Sequence, residues 1–184
     1  MLTKKVCMLG AHGVGKRSLT SNFADQSSHE GHAGAVGVRI CKKALAVDGR
    51  EVWMMIWDIT DWGRFGVVSG QLRGMNGFLL VADGTRAETI ERVREIFEQI
   101  WAFEQPRAEG EESASYVQFP YRKIPFLLLL NKSDLTEEWK VEPSFLQILA
   151  NKAWPVEVVS AKEDRGVEEA FLRLAREMLE QPAE

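Results

Sequence analysis

The chain has 184 residues, 45% of them hydrophobic and 27% charged, with a formal net charge of −4. That length suits one α/β domain over residues 1–184, and the composition excludes a disordered, collagenous or disulfide-scaffold protein. The acidic balance argues against bulk electrostatic capture of nucleic acid or of an anionic membrane, although a phosphate pocket can be locally positive on an acidic protein.

The first strand is predicted over Lys4–Leu9, and a helix over Gly15 to Ala24. Between them runs Gly10-Ala11-His12-Gly13-Val14-Gly15-Lys16-Arg17-Ser18. Strand, glycine-rich turn and helix form the context that a phosphate-binding loop needs. The glycines let backbone N–H groups and the helix N-terminus face an anion, and Lys16 adds a full positive charge at the β- and γ-phosphates. The spacing G-x-x-x-x-G-K asks next for a Ser or Thr whose hydroxyl binds Mg²⁺. Arg17 stands there, and the first hydroxyl comes one residue late, at Ser18. The cradle of Gly10, His12, Gly13, Val14, Gly15, Lys16, Arg17 and Ser18 is therefore expected to hold phosphate with one metal ligand missing. The bland alternative is a glycine-rich turn that binds nothing.

Residues 25–34 are polar, lack a period and read as an exposed loop. Val36 to Val47 alternates imperfectly into Asp48-Gly49, a hairpin signal, and Val52 to Trp57 is the expected return strand. Asp58 then falls at a strand's carboxyl edge, where α/β sheets place ligands. Arg64 to Arg73 reads as a short helix, Gly77 to Ala82 as an apolar strand, and Glu88 to Phe103 as a helix with Ile90, Val93, Ile96, Phe97 and Ile100 on one face. Residues 104–123 read as a surface insertion. Phe126 to Leu130 and Val156 to Val159 are expected strands, Pro143 to Ala150 and Val167 to Leu179 expected helices. Alternation of this kind predicts a mostly parallel sheet with helices on both faces, the hairpin making one edge antiparallel. Cys7 and Cys41 lie in apolar runs and are expected to be reduced core residues of a cytoplasmic protein. No secretory signal, 20-residue membrane span or lipidation motif is read in the chain, so no membrane anchor is expected.

Two further motifs close strands. Asn131-Lys132-Ser133-Asp134 follows Phe126–Leu130, and Ser160-Ala161-Lys162 follows Val156–Val159. With the phosphate loop, this combination resembles the Ras-like small GTP-binding proteins and looks closest to their bacterial Rab-like members. Trp57-Asp58 and Ala82-Asp83-Gly84-Thr85 fit that family too. The resemblance spans nearly the whole chain, residues 104–123 excepted. It implies a three-layer P-loop (Ras-like) fold with a six-stranded, mostly parallel sheet, binding GTP or GDP. Guanine presents two adjacent donors, N1–H and its exocyclic amine, which a carboxylate accepts as a fork. Asp134 would thus select guanine over adenine, which would leave the carboxylate unpaired at a cost of a few kcal/mol. By the resemblance, Asn131 would brace the loop and contact the base, and Lys132 would lay its stem over the ring. The Ala161 N–H would meet guanine O6, with Ser160 and Lys162 in the same loop. Singly each motif also fits an ordinary polar strand-end loop.

The chain departs from the family where phosphate meets metal. The first loop should carry Thr before Val36-Gly37, and it carries Ala35. After Asp58 the family reads x-Ala-Gly-Gln/Glu, and here stand Ile59-Thr60-Asp61-Trp62. Asp61 replaces the glycine that meets the γ-phosphate, and Trp62, at the water-orienting position, has no acceptor. Asp58 alone remains, reaching metal through water. Mg²⁺ is accordingly expected to bind weakly and hydrolysis to be weak or lost. Arg17 reads either as a guanidinium replacing part of the metal's charge or as a solvated side chain. His12 would crowd the γ-phosphate or point to solvent, the second being favoured. Trp53 and Trp57 share a strand face and read as packing; Trp62 and Phe65 read as core or, less favoured, as a partner contact. The leading expectation is a guanine-nucleotide-binding protein acting on regulatory or effector proteins through residues 25–37 and 60–75. The alternatives are a conventional GTPase switch and a nucleotide-free scaffold.

Overall fold

The computed structural model describes residues 2–23, 38–60, 72, 74–104 and 124–180, with residues 101–104 described through their backbone alone. In chain order the elements are β1 (Leu2–Gly10), α1 (Lys16–Phe23), β2 (Val38–Val47), β3 (Arg50–Ile59), β4 (Gly77–Asp83), α2 (Ala87–Glu104), β5 (Phe126–Asn131), α3 (Pro143–Asn151), β6 (Val156–Val158) and α4 (Val167–Glu180). They form one six-stranded sheet in the order β2-β3-β1-β4-β5-β6. All neighbouring pairs are parallel except β2 with β3. The predicted α/β architecture with one antiparallel edge strand is thus what the chain adopts. Residues 24–37 and 105–123, and all but Leu72 of the helix expected from Arg64 to Arg73, fall outside the described residues.

The burial pattern follows strand position. Every residue of the central β4 is buried, as in a strand covered on both faces, whereas β3 alternates because only one of its faces meets the deepest core. Val6, Met8, Leu79, Val81, Leu127 and Leu129 point to one side, where α1 and α4 cover them. Cys7, Leu9, Leu80, Leu128 and Leu130 point to the other, under α2 and α3. Trp57 packs against that second core, and half-buried Trp53 lies under the Lys42 ammonium, 5.9 Å from its ring centroid. Both cysteines are free and buried, and burial pushes the Cys41 thiol up to about 11, with Arg39 opposing and Asp58 adding to the rise. No described helix is long and apolar enough to cross a membrane.

The helix that starts at the phosphate loop is anchored by its far end. Leu19 and Phe23, one turn apart, point into the core, and the Phe23 ring stacks on Phe171 of α4 at a centroid distance of 3.8 Å. Replacing fully buried Phe171 by Ala should cost about 3–5 kcal/mol, because the vacated volume lies between two helices and the sheet. Urea unfolding monitored by circular dichroism checks this: the midpoint should fall while the slope is unchanged.

Candidate functional site

The carboxyl ends of β1, β3, β4, β5 and β6 open on one edge of the sheet, and every strand-end motif read in the sequence gathers there. Parallel strands force this, since each one delivers its following loop to the same side. At the phosphate loop, Lys16 folds back so that Nζ donates to the carbonyls of Gly10 at 2.8 Å and Ala11 at 3.0 Å. The side chain is thereby held inside the loop and buried. Gly15 has φ +98°, and a Cβ there would run into Nδ2 of Asn131. His12, Arg17 and Ser18 are exposed and line the mouth of the cleft.

Asn131 joins the two ends of that edge. Its Nδ2 donates to the Val14 carbonyl at 2.9 Å, and its Oδ1 accepts the Ala161 N–H at 2.9 Å. The Ala161 N–H expected to meet a base therefore already has a partner in this geometry. Its carbonyl accepts from Asn22 Nδ2 of α1, so three loops and a helix meet at this point. Asp134 Oδ1 accepts the hydroxyl of buried Ser160 at 2.7 Å, and Lys162 Nζ stands 3.8 Å from Oδ2. The Ser160 hydroxyl, against the cost of burial, holds the Asp134 carboxyl below its ordinary range, with Lys162 and Arg165 adding to the fall. A carboxylate so held is an ionised acceptor, the form that a pair of adjacent donors requires. Lys132 adopts φ +70° and pairs with Asp83 Oδ2 at 2.7 Å.

The metal side has a different character. A cleft of about 560 Å³ is lined by His12, Gly13, Gly15, Lys16, Arg17, Ser18, Val38, Arg39, Asp58 and Thr60. Asp58 is 4% exposed and its Oδ1 has no hydrogen-bond partner. Burial pushes its carboxyl up, while Lys16, Arg39 and Arg17 pull it part of the way back. Magnesium demands near-octahedral oxygen coordination. Here one orphaned carboxylate oxygen faces three cationic side chains, and a guanidinium stands where the hydroxyl donor belongs. Among the described residues no three His, Cys, Asp or Glu side chains converge on a point where an ion could sit. Among the described residues lining the cleft, Asp58 is the only carboxylate. Ala35, Asp61 and Trp62 lie outside the described residues.

Two residues at this edge had no signal of their own in the sequence. Arg39 lines the cleft from β2, the edge strand, and Arg86, in the turn before α2, donates to the His12 carbonyl of the phosphate loop. Asp83 was visible only as part of a strand-end tetrapeptide. It is fully buried, and its two oxygens accept from Thr85, Arg86 and Lys132. Burial alone would raise its carboxyl, but these donors outweigh it and hold it well below the usual carboxylate range.

Comparison with known proteins agrees with this arrangement. The Ras family model matches residues 5–180. The chain is 31% identical over 176 residues to the Ras-related protein Rab-1D of Dictyostelium discoideum, covering 95% of this chain and 78% of the relative. It is 29% identical over 178 residues to the GTP-binding protein ypt1 of Schizosaccharomyces pombe, covering 96% and 80%. A phosphate loop, a strand-end Asn-Lys-x-Asp and a Ser-Ala-Lys turn, on a sheet of this order, place the chain in the Ras family, as a Rab-like small GTP-binding protein.

Proposed function

We propose that the protein binds GDP or GTP along this sheet edge, hydrolyses GTP weakly or not at all, and acts by contacting regulatory or effector proteins. The observation that carries the reading is the Asn131 amide, which ties the phosphate loop to the Ala161 turn while Asp134 stands ionised beside it. Asp134 takes the guanine N1–H and amine; Asn131, Lys132, Ser160, Ala161 and Lys162 shape the base pocket. The loop from Gly10 to Ser18 holds the phosphates through backbone N–H groups and Lys16.

At the phosphate end Arg17 and Arg39 supply positive charge near Asp58, where the family uses a divalent cation. Guanidinium groups pair with phosphate oxygens in a fork and need no metal to do so. They do not orient a water, and phosphoryl transfer rests on positioning as much as on charge. Weak hydrolysis and weak dependence on Mg²⁺ follow together. Residues 25–37 and 60–75 are the proposed contact segments. The buried free thiols suit a reducing compartment, and we place the protein in the cytoplasm, with no nucleic-acid partner. A conventional switch is the alternative, supported by the retained Asp58 and by family membership.

Asp134→Asn should weaken GDP binding by about a hundredfold or more and confer binding of xanthosine diphosphate, because the amide reverses one member of the donor–acceptor pattern. Titration calorimetry with both nucleotides measures this, and unchanged GDP affinity would discard the base assignment. Chelating divalent cations should change the GDP dissociation constant by less than about tenfold. A loss of several orders of magnitude on adding EDTA would favour the conventional switch instead. Combining Arg17→Ser, Ala35→Thr and Asp61→Gly should raise single-turnover GTP hydrolysis by at least about tenfold when Mg²⁺ is supplied.

A further inference from the structure

One buried carboxylate, Asp83, holds two cations, Lys132 of the loop after β5 and Arg86 of the turn before α2. Asp83 Oδ2 pairs with Lys132 Nζ at 2.7 Å and with Arg86 Nε at 2.8 Å. The other end of the Arg86 guanidinium, Nη2, donates to the His12 carbonyl at 3.1 Å. Arg86 is thus a two-point bridge from the end of β4 to the middle of the phosphate loop. Its Nη2 also lies 3.5 Å from where a side chain on Gly13 would begin, so it packs against the loop at Gly13.

The backbone that carries Arg86 is fixed before any ligand arrives. The Thr85 N–H and hydroxyl both donate to Asp83 Oδ1, at 3.0 and 2.7 Å. The Arg86 N–H donates to the Asp83 carbonyl at 2.9 Å, and the Thr89 hydroxyl donates to the Arg86 carbonyl at 2.7 Å. Thr89 Oγ1 in turn accepts the Asp83 N–H at 2.9 Å. These hydrogen bonds brace the turn, so the guanidinium is presented from a well-supported base.

The geometry points to Arg86 as a positioning residue for the phosphate loop, preorganising it for a nucleoside diphosphate or triphosphate by gripping the His12 carbonyl. The loop must hold its N–H groups inward against its own flexibility, and Gly13, with φ +74°, is among its least constrained residues. A guanidinium anchored on a buried carboxylate restrains that carbonyl, and with it the course of the loop. Lysine cannot replace it, since one ammonium does not span both Asp83 and His12 in a planar fork. This inference rests on the nucleotide-binding reading above.

Titration of GDP and GMP against the wild-type chain, Arg86→Gln and Arg86→Lys tests it. Both variants should weaken GDP by about tenfold, the worth of one charge-assisted hydrogen bond. GMP, which lacks the β-phosphate that the loop encloses, should weaken distinctly less. Arg86→Lys keeps the charge and the ion pair with Asp83, so it guards against a folding defect in the Gln variant. Its melting temperature should stay within a few degrees of wild type. Full rescue of GDP affinity by Lys, equal losses for GDP and GMP, or no loss for GDP would each overturn the inference. Wild-type protein that binds no guanine nucleotide would overturn the functional reading as well, which separates the two failures.

Discussion

The cleft depends on one buried amide. Asn131 is 2% exposed and uses both ends of its dipole, donating to Val14 and accepting from Ala161. Aspartate at this position would lack the donor for the Val14 carbonyl, and an apolar residue would orphan two buried backbone groups at once. The same amide explains Gly15: its Nδ2 fills the space that a Cβ would take. Two motifs separated by more than half the chain are therefore one packing constraint. Neither can change without the other.

Two buried carboxylates, on the strands that flank β1, show how environment assigns roles. Asp83 and Asp58 are both nearly inaccessible. Asp83 is surrounded by donors on both oxygens, so its charge is fully compensated. Asp58 has cations nearby and an oxygen without a hydrogen bond, so the cost of burial is only partly offset. The first is a structural cross-link between loops. The second leaves the phosphate end of the cleft with more positive than negative charge, the condition under which a polyphosphate is attracted.

Much of this was legible in the residues. Apolar runs located the central strands, and Asp48-Gly49 located the hairpin, where both residues have positive φ as a tight primed turn requires. The return strand is longer than its apolar pattern suggested, Arg50–Ile59 rather than Val52–Trp57, because antiparallel pairing with β2 continues from Val47↔Arg50 to Val38↔Ile59 whatever the side chains. The four described helices match to within a residue at their ends. Arg86 and Arg39 were invisible for a plain reason: a long cation in a polar context carries no periodic or spacing signal. Its partner is set by the fold, and the Arg86 contact spans 74 positions of the sequence. The pairing of Lys132 with Asp83 was hidden in the same way, since each residue sat in a separate strand-end motif.

The stacked rings of Phe23 and Phe171 tie the helix behind the phosphate loop to the last helix of the chain, and Lys4 Nζ donates to the Met178 carbonyl at 2.8 Å. During synthesis the loop is made well before α4, which supplies part of the surface against which its helix packs. The nascent chain thus carries its anion-binding segment without the support that shapes it until α4 has left the ribosome. A ribosome stalled before α4 would display the motif without that support.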